Sequence, residues 1–130
     1  MKYNILIILI LFWVVPTLKA DVKSWTLEQV GFLNIDRNEK NYGGFSGLVI
    51  QDEGSEALIL TDKSFFFVLK LQRNDDDNLM GYSLIRKGRI LSSKGEHLNG
   101  RNTDSESIVI GENSNYYISF ESNHRIMMHT

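Results

Sequence analysis

The sequence predicts an all-β fold, and three observations carry that prediction. No helical periodicity lasts long enough after residue 20 to build a helix, short apolar runs alternate with turn clusters, and the pattern of runs recurs roughly sixty residues on. Strands are expected over Ser24–Leu33, Ser46–Ile50, Glu56–Thr61, Ser64–Gln72, Asn78–Ile85, Ser105–Ile110, Tyr116–Phe120 and Arg125–His129, where apolar, aromatic and β-branched residues gather. The segments DEGS at 52–55, NDDDN at 74–78 and GENSN at 111–115 supply the Gly, Asn and Asp that tight turns need. A longer polar stretch, SSKGEHLNGRN at 92–102, separates two halves.

Those halves align. SGLVI at 46–50 lies over ESIVI at 106–110, and with one extra residue in the first turn ALILTD at 57–62 falls on YYISFE at 116–121, which pairs Asp62 with Glu121. Such a repeat, each copy an antiparallel meander of about four strands, suits the blades of a β-propeller. The chain then holds the first one and a half to two blades, a fragment of a ring that uses about 4–8 of them. On this reading residues 21–130 are the front of a longer, truncated propeller domain, with an uncovered blade face and no catalysis by the piece alone. Ser24–Leu33 would be an extended, poorly packed segment of the kind that latches a closed ring. FFF at 65–67 and Tyr116–Tyr117 fill the wedge between blades.

The first twenty residues place Lys2 before an apolar run from Ile5 to Val15, then Pro16 and a terminal Ala20. This has the layout of a helical signal peptide, and a run of that length falls short of the about 20 residues of a membrane span. Cleavage predicts a secreted or periplasmic bacterial protein with no stable membrane span. It would also remove Lys2 and Lys19 and no acid, making a net charge of −2 more negative still. No basic patch is left to neutralise phosphates, so nucleic acid is excluded as a partner. Cysteine is absent, which excludes thiol nucleophiles, Cys-ligated zinc and disulfides.

Acids bracket the apolar runs of the second half. Side chains alternate along a strand, so Asp104 and Glu106 share a face with Ile108 and Ile110 and stand at the strand's mouth, while Glu121 closes the following strand. Asp62 takes the matching place in the first half. Carboxylates this close need a cation, an arginine or a raised pKa. His124 and Arg125 follow Glu121 and offer cationic groups for an anion, or salt partners for the acids themselves. Asp75, Asp76 and Asp77 are consecutive rather than alternating, which disqualifies an EF-hand-type loop and leaves a solvated hairpin tip. GFSG at 44–47 misses the nucleophile-elbow spacing because Leu48 stands where the last Gly belongs, so Ser46 reads as a turn or strand-start residue.

Four stretches in order, YGGFSGL at 42–48, LILTD at 58–62, NTDSES at 102–107 and YYISFESNHR at 116–125, resemble the phytase-like family labelled "esterase-like activity of phytase". The resemblance covers most of residues 25–130. It implies an exported bacterial β-propeller with hydrolase-type chemistry, phosphoester or ester, on a small anionic ester. It also implies a calcium site of carboxylates at blade strand ends. The metal ligands would be Asp62, Asp104, Glu106 and Glu121, with Asp104, Glu106 and Glu121 also the catalytic candidates and His124 and Arg125 contacting substrate. The alternative is a non-catalytic propeller that binds a glycan, peptide or envelope partner and uses the same acids structurally.

Overall fold

A computed structural model describes residues 24–35 and 41–130 of the chain. The expected signal peptide, residues 1–20, lies outside the described residues. Among the described residues seven strands run in order: β1 (Phe45–Gln51), β2 (Glu56–Thr61), β3 (Phe65–Arg73), β4 (Leu79–Arg89), β5 (Ser105–Ile110), β6 (Tyr116–Phe120) and β7 (Arg125–His129). They form two antiparallel meanders, β1-β2-β3-β4 and β5-β6-β7, and among the described residues there is no α-helix. The all-β expectation holds, and two neighbouring sheets of this kind are consistent with part of a propeller.

Six of the expected strands agree in position with the observed ones to within a residue, and β4 extends to Arg89 rather than stopping near Ile85. Its last residues, Arg86, Lys87, Gly88 and Arg89, read as polar loop in sequence. They are strand because they pair with Val68, Phe67, Phe66 and Phe65 of an apolar β3. Arg86 and Arg89 also lie over the rings of Phe66 and Phe65, at 5.9 and 4.8 Å. The strand expected at Ser24–Leu33 is not formed: residues 24–35 have no regular structure, and Trp25 is 83% exposed. With no ladder partner, its β-favouring side chains cannot offset the cost of ordering the backbone. Leu33 and Ile35 reach the outer face of the first sheet.

The repeat is real in three dimensions. β1 and β5 each begin with a β-bulge, between Phe45 and Gly47 and between Ser105 and Ser107. The turns that follow are single 3-10 turns, Asp52–Gly54 and Glu112–Ser114, each with a left-handed residue at its centre, Glu53 at φ 53° and Asn113 at φ 56°. The closing bonds also correspond: Asp62 N–H donates to the Gly44 carbonyl at 2.8 Å, and Glu121 N–H to the Asp104 carbonyl at 2.9 Å.

The sheets pack face to face through a core of Leu60, Ile90, Leu98, Ile118 and Phe120, joined by Phe66, Ile108 and Met127. β1 and β5 approach closely because Gly47 has no side chain: a Cβ there would sit 2.9 Å from Ile108 Cγ2. The repeat also fixes which faces meet. Leu58 of β2 points toward the second sheet while its counterpart Tyr117 points away, and Ile118, the counterpart of Ile59, is buried against the first sheet. The outer face of the first sheet carries a second cluster of Ala57, Ile59, Phe67 and Leu69. The outer face of the second sheet exposes Val109, Tyr117, Ile126 and Met128.

Candidate functional site

The start of β1, the end of β2, the start of β5 and the end of β6 all lie at one rim of the stacked sheets, because antiparallel meanders return alternate turns to the same end. This rim gathers Asp62, Asp104, Glu106 and Glu121. Oxygens of Asp104, Glu106 and Glu121 lie within 4.8 Å of one another. Asp62 is near enough that its charge acts on Glu106.

Each acid is placed by a local device. Glu106 is the bulge residue of β5, so no partner in β6 opposes it and its side chain is aimed at the rim. Asp104 accepts a short hydrogen bond from Ser122 Oγ–H. Glu121 follows the last residue of β6 and is held by its amide bond to Asp104. Asp62 follows β2, and its carboxylate lies over Gly44, whose φ is 62°; a Cβ on Gly44 would come within 2.3 Å of Asp62 Oδ1. Oδ1 of Asp62 and Oγ of Ser46, the bulge residue of β1, are both buried without a hydrogen-bond partner.

The carboxyl of Glu106 titrates above its ordinary value. Loss of surrounding water is the first cause, followed by the charges of Glu121, Asp104 and Asp62, with hydrogen bonding to Asp104 in the same direction. The ion pairs Lys70–Asp52 at 3.5 Å and Arg73–Asp77 at 3.4 Å belong to the turns at the opposite end and do not relieve this repulsion. There Asp75, Asp76 and Asp77 form the exposed hairpin tip expected of them, organised by Asn74 Oδ1, which accepts from the amides of Asp76 and Asn78.

Arg125 and His124 stand beside the cluster in different states. The Arg125 guanidinium donates to the Asn102 carbonyl at 2.6 Å and the Asn123 carbonyl at 3.0 Å, and it stacks on Phe120 at 3.9 Å from the ring centroid. Burial lowers its pKa, although a guanidinium keeps its charge at any physiological pH. It clamps the 121–124 turn to the 100–103 turn, assisted by Arg101, which donates to the Ser122 carbonyl at 3.0 Å. His124 sits in the 121–124 turn with its side chain exposed.

Of the four acids expected at one mouth the structure brings Asp104, Glu106 and Glu121 together, with Asp62 near by, and sequence reasoning passed over the hydroxyls beneath them. Ser64, Thr61 and Ser105 are buried to 1% exposure or less. The signal was available at Ser105, a small polar residue locked between two acids at the first position of a strand.

Oxygen donors of this kind, carboxylates with a hydroxyl and an orphaned carboxylate oxygen, match the needs of a hard divalent cation such as calcium. Among the described residues no helix is long and apolar enough to cross a membrane. No curated protein and no solved structure matches the chain significantly. The phytase-like family, described as "esterase-like activity of phytase", matches residues 40–130, the span that contains both sheets and every rim acid. The chain therefore belongs to the phytase-like family.

Proposed function

We propose that the chain is the front of an exported, propeller-type hydrolase of bacterial origin whose rim acids hold a divalent cation, calcium by preference, and act on a small anionic ester, a phosphoester first. The observation that carries this reading is the meeting of three carboxylates within 4.8 Å while Asp62 Oδ1, near enough for its charge to act on Glu106, stays buried and unpartnered. Carboxylates so placed repel, and a cation relieves the repulsion while satisfying the orphaned oxygen. Asp104, Glu106, Glu121 and Asp62 would be the holding residues. When bound, the cation would supply Lewis-acid polarisation of the ester oxygen and a more acidic water.

The protein's own groups have separate tasks. Glu106, whose carboxyl titrates above its ordinary value, is the member of the cluster that holds a proton most readily, as a general acid or base must. Exposed His124 is free to meet an anionic substrate at the edge of the cluster. Arg125 holds its turn in place and adds a fixed positive charge on the same side.

Calorimetric titration of the chain with calcium, then with magnesium, tests the cation. A panel of phosphate monoesters and carboxyl esters on a longer family member tests the chemistry. Binding that is lost in Glu106→Gln, with phosphate-ester turnover that depends on calcium, is the expected result. No binding and no turnover would return the family fold to a role as a non-catalytic module for a glycan, peptide or envelope partner.

A further inference from the structure

We propose that Ser105 and Ser64 are positioning residues that set the distance between the acid of the first sheet and the acids of the second; this rests on the cation reading above. The two sheets contribute to one cluster, yet they meet mainly through non-directional apolar packing, which alone leaves a polar rim free to shift by fractions of an ångström. A pair of buried hydroxyls removes that freedom. Ser105 Oγ–H donates to the carbonyl of Thr61 at 2.7 Å. Thr61 is the residue before Asp62, and Ser105 stands between Asp104 and Glu106, so one bond ties the backbones carrying all three acids.

The second tie crosses in the opposite sense. Ser64 Oγ–H donates to the carbonyl of Thr103 at 2.6 Å, the residue before Asp104. Ser64 is held for this by its left-handed backbone, φ 58°, and by its carbonyl, which accepts from Ile90 N–H at 2.8 Å. Thr61 Oγ1 completes the turn by accepting from the amides of Phe65 at 3.2 Å and Lys63 at 3.4 Å. The two serine oxygens are 3.4 Å apart. All three hydroxyl residues are essentially without solvent contact, so these bonds form in a dry setting where directionality counts most.

Hydroxyls one step removed from metal ligands orient them, and removing such a partner typically lowers metal affinity about 10–100-fold. Calcium affinity of the full chain, measured by calorimetry in Ser105→Ala, is expected to fall about ten-fold. Ser64→Ala should fall in the same direction, and it stands in should Ser105→Ala not fold. Ser107→Ala, which removes an exposed hydroxyl of β5 paired across to Ser119 of β6, should bind as the unaltered chain does. Asp62→Asn supplies the readout that general loosening would not move: if the bond works by holding Asp62 against the second sheet, Ser105→Ala has no further effect on affinity in that background.

A Ser105→Ala chain that binds calcium as tightly as the unaltered one overturns the assignment and leaves the cation reading intact. So does a loss that persists undiminished beside Asp62→Asn, which would mean the hydroxyl supports only its own strand. An unaltered chain that gives no calcium heat overturns the cation reading and the assignment together.

Discussion

Ser46 and Glu106 occupy the same place in two successive sheets: each is the unpaired residue of the bulge that opens the sheet's first strand. The first sheet puts a hydroxyl there and the second a carboxylate. A bulge residue owes nothing to the ladder, so its side chain can change without altering strand register. Glu106→Gln is accordingly expected to leave the fold intact and to melt at or above the temperature of the unaltered chain at pH 7 without divalent cation, because one of the repelling charges is gone. Its calcium affinity should fall at least about ten-fold. Thermal unfolding with and without calcium measures both effects, and a marked loss of cation-free stability would mean that Glu106 makes a contact the cluster needs.

The pH dependence follows from the direction of the Glu106 shift. Its folded-state pKa is raised, so the unfolded chain gives up this proton first as pH rises. The stability it contributes is present below the ordinary Glu pKa and is lost as pH climbs through the raised value. His129 works in the other sense: burial lowers its pKa, and its contribution is lost as pH falls below the ordinary His value. Comparing urea midpoints of the unaltered chain and Glu106→Gln across pH 4 to 8 cancels His129. The difference should grow with pH in favour of the variant, and saturating calcium should reverse it.

Gly44 tests how tightly Asp62 is seated. Gly44→Ala meets two obstacles, a backbone at φ 62° and a carboxylate oxygen 2.3 Å from the new carbon. Gly54 has a positive φ of 89° with nothing within 4 Å, so Gly54→Ala carries the backbone strain alone. Strain of this kind costs about 1–2 kcal/mol. Gly44→Ala should cost measurably more than Gly54→Ala in urea unfolding and should also weaken calcium binding, which Gly54→Ala should not. Equal costs would show that Asp62 is free to swing away.

Leu60 and Leu48 separate the inner interface from the outer face. Leu60 has no exposed surface and packs between the sheets, whereas Leu48 is 61% exposed on the first sheet. Leu60→Ala is expected to cost about 2–5 kcal/mol by loss of apolar contact and the cavity left behind. Leu48→Ala should cost less than about 1 kcal/mol. Chemical denaturation of both variants gives the comparison.

The strands were legible because each apolar run is bounded by a turn with Gly, Asn or Asp, and β2, β5, β6 and β7 fall where the pattern put them. The last turn of β4 was not, since Arg86, Lys87 and Arg89 are strand only by virtue of what β3 presents to them. At Ser24–Leu33 the strand is absent for the converse reason, a β-favouring composition outside any ladder, while the poor packing expected of the segment is what is found. At the rim, the internal repeat made Asp62 and Glu121 equivalent, but strict alternation, which put Glu106 on the face of Ile108 and Ile110, did not hold: the bulge at Glu106 breaks the register, so that Ser105 shares the inward face with Ile108. The hydroxyl ties escaped because a serine's burial depends on a second sheet some forty residues away in the chain.

The way the sheets repeat carries a consequence for assembly. Since positions that β1 and β2 turn inward correspond to positions that β5 and β6 turn outward, the same packing step can be applied again. In a propeller, exposed Val109, Tyr117, Ile126 and Met128 would accept a further sheet, and exposed Leu48 and Ile50 at the other end would be the donor. Contacts of that head-to-tail type have no twofold axis to exhaust them; they stop only when a ring closes, and otherwise they propagate. Where the next sheet comes from decides the outcome: supplied in cis it completes a circle of defined size, and supplied in trans by neighbouring copies it yields a series of species whose mean mass climbs with concentration instead of settling at a dimer.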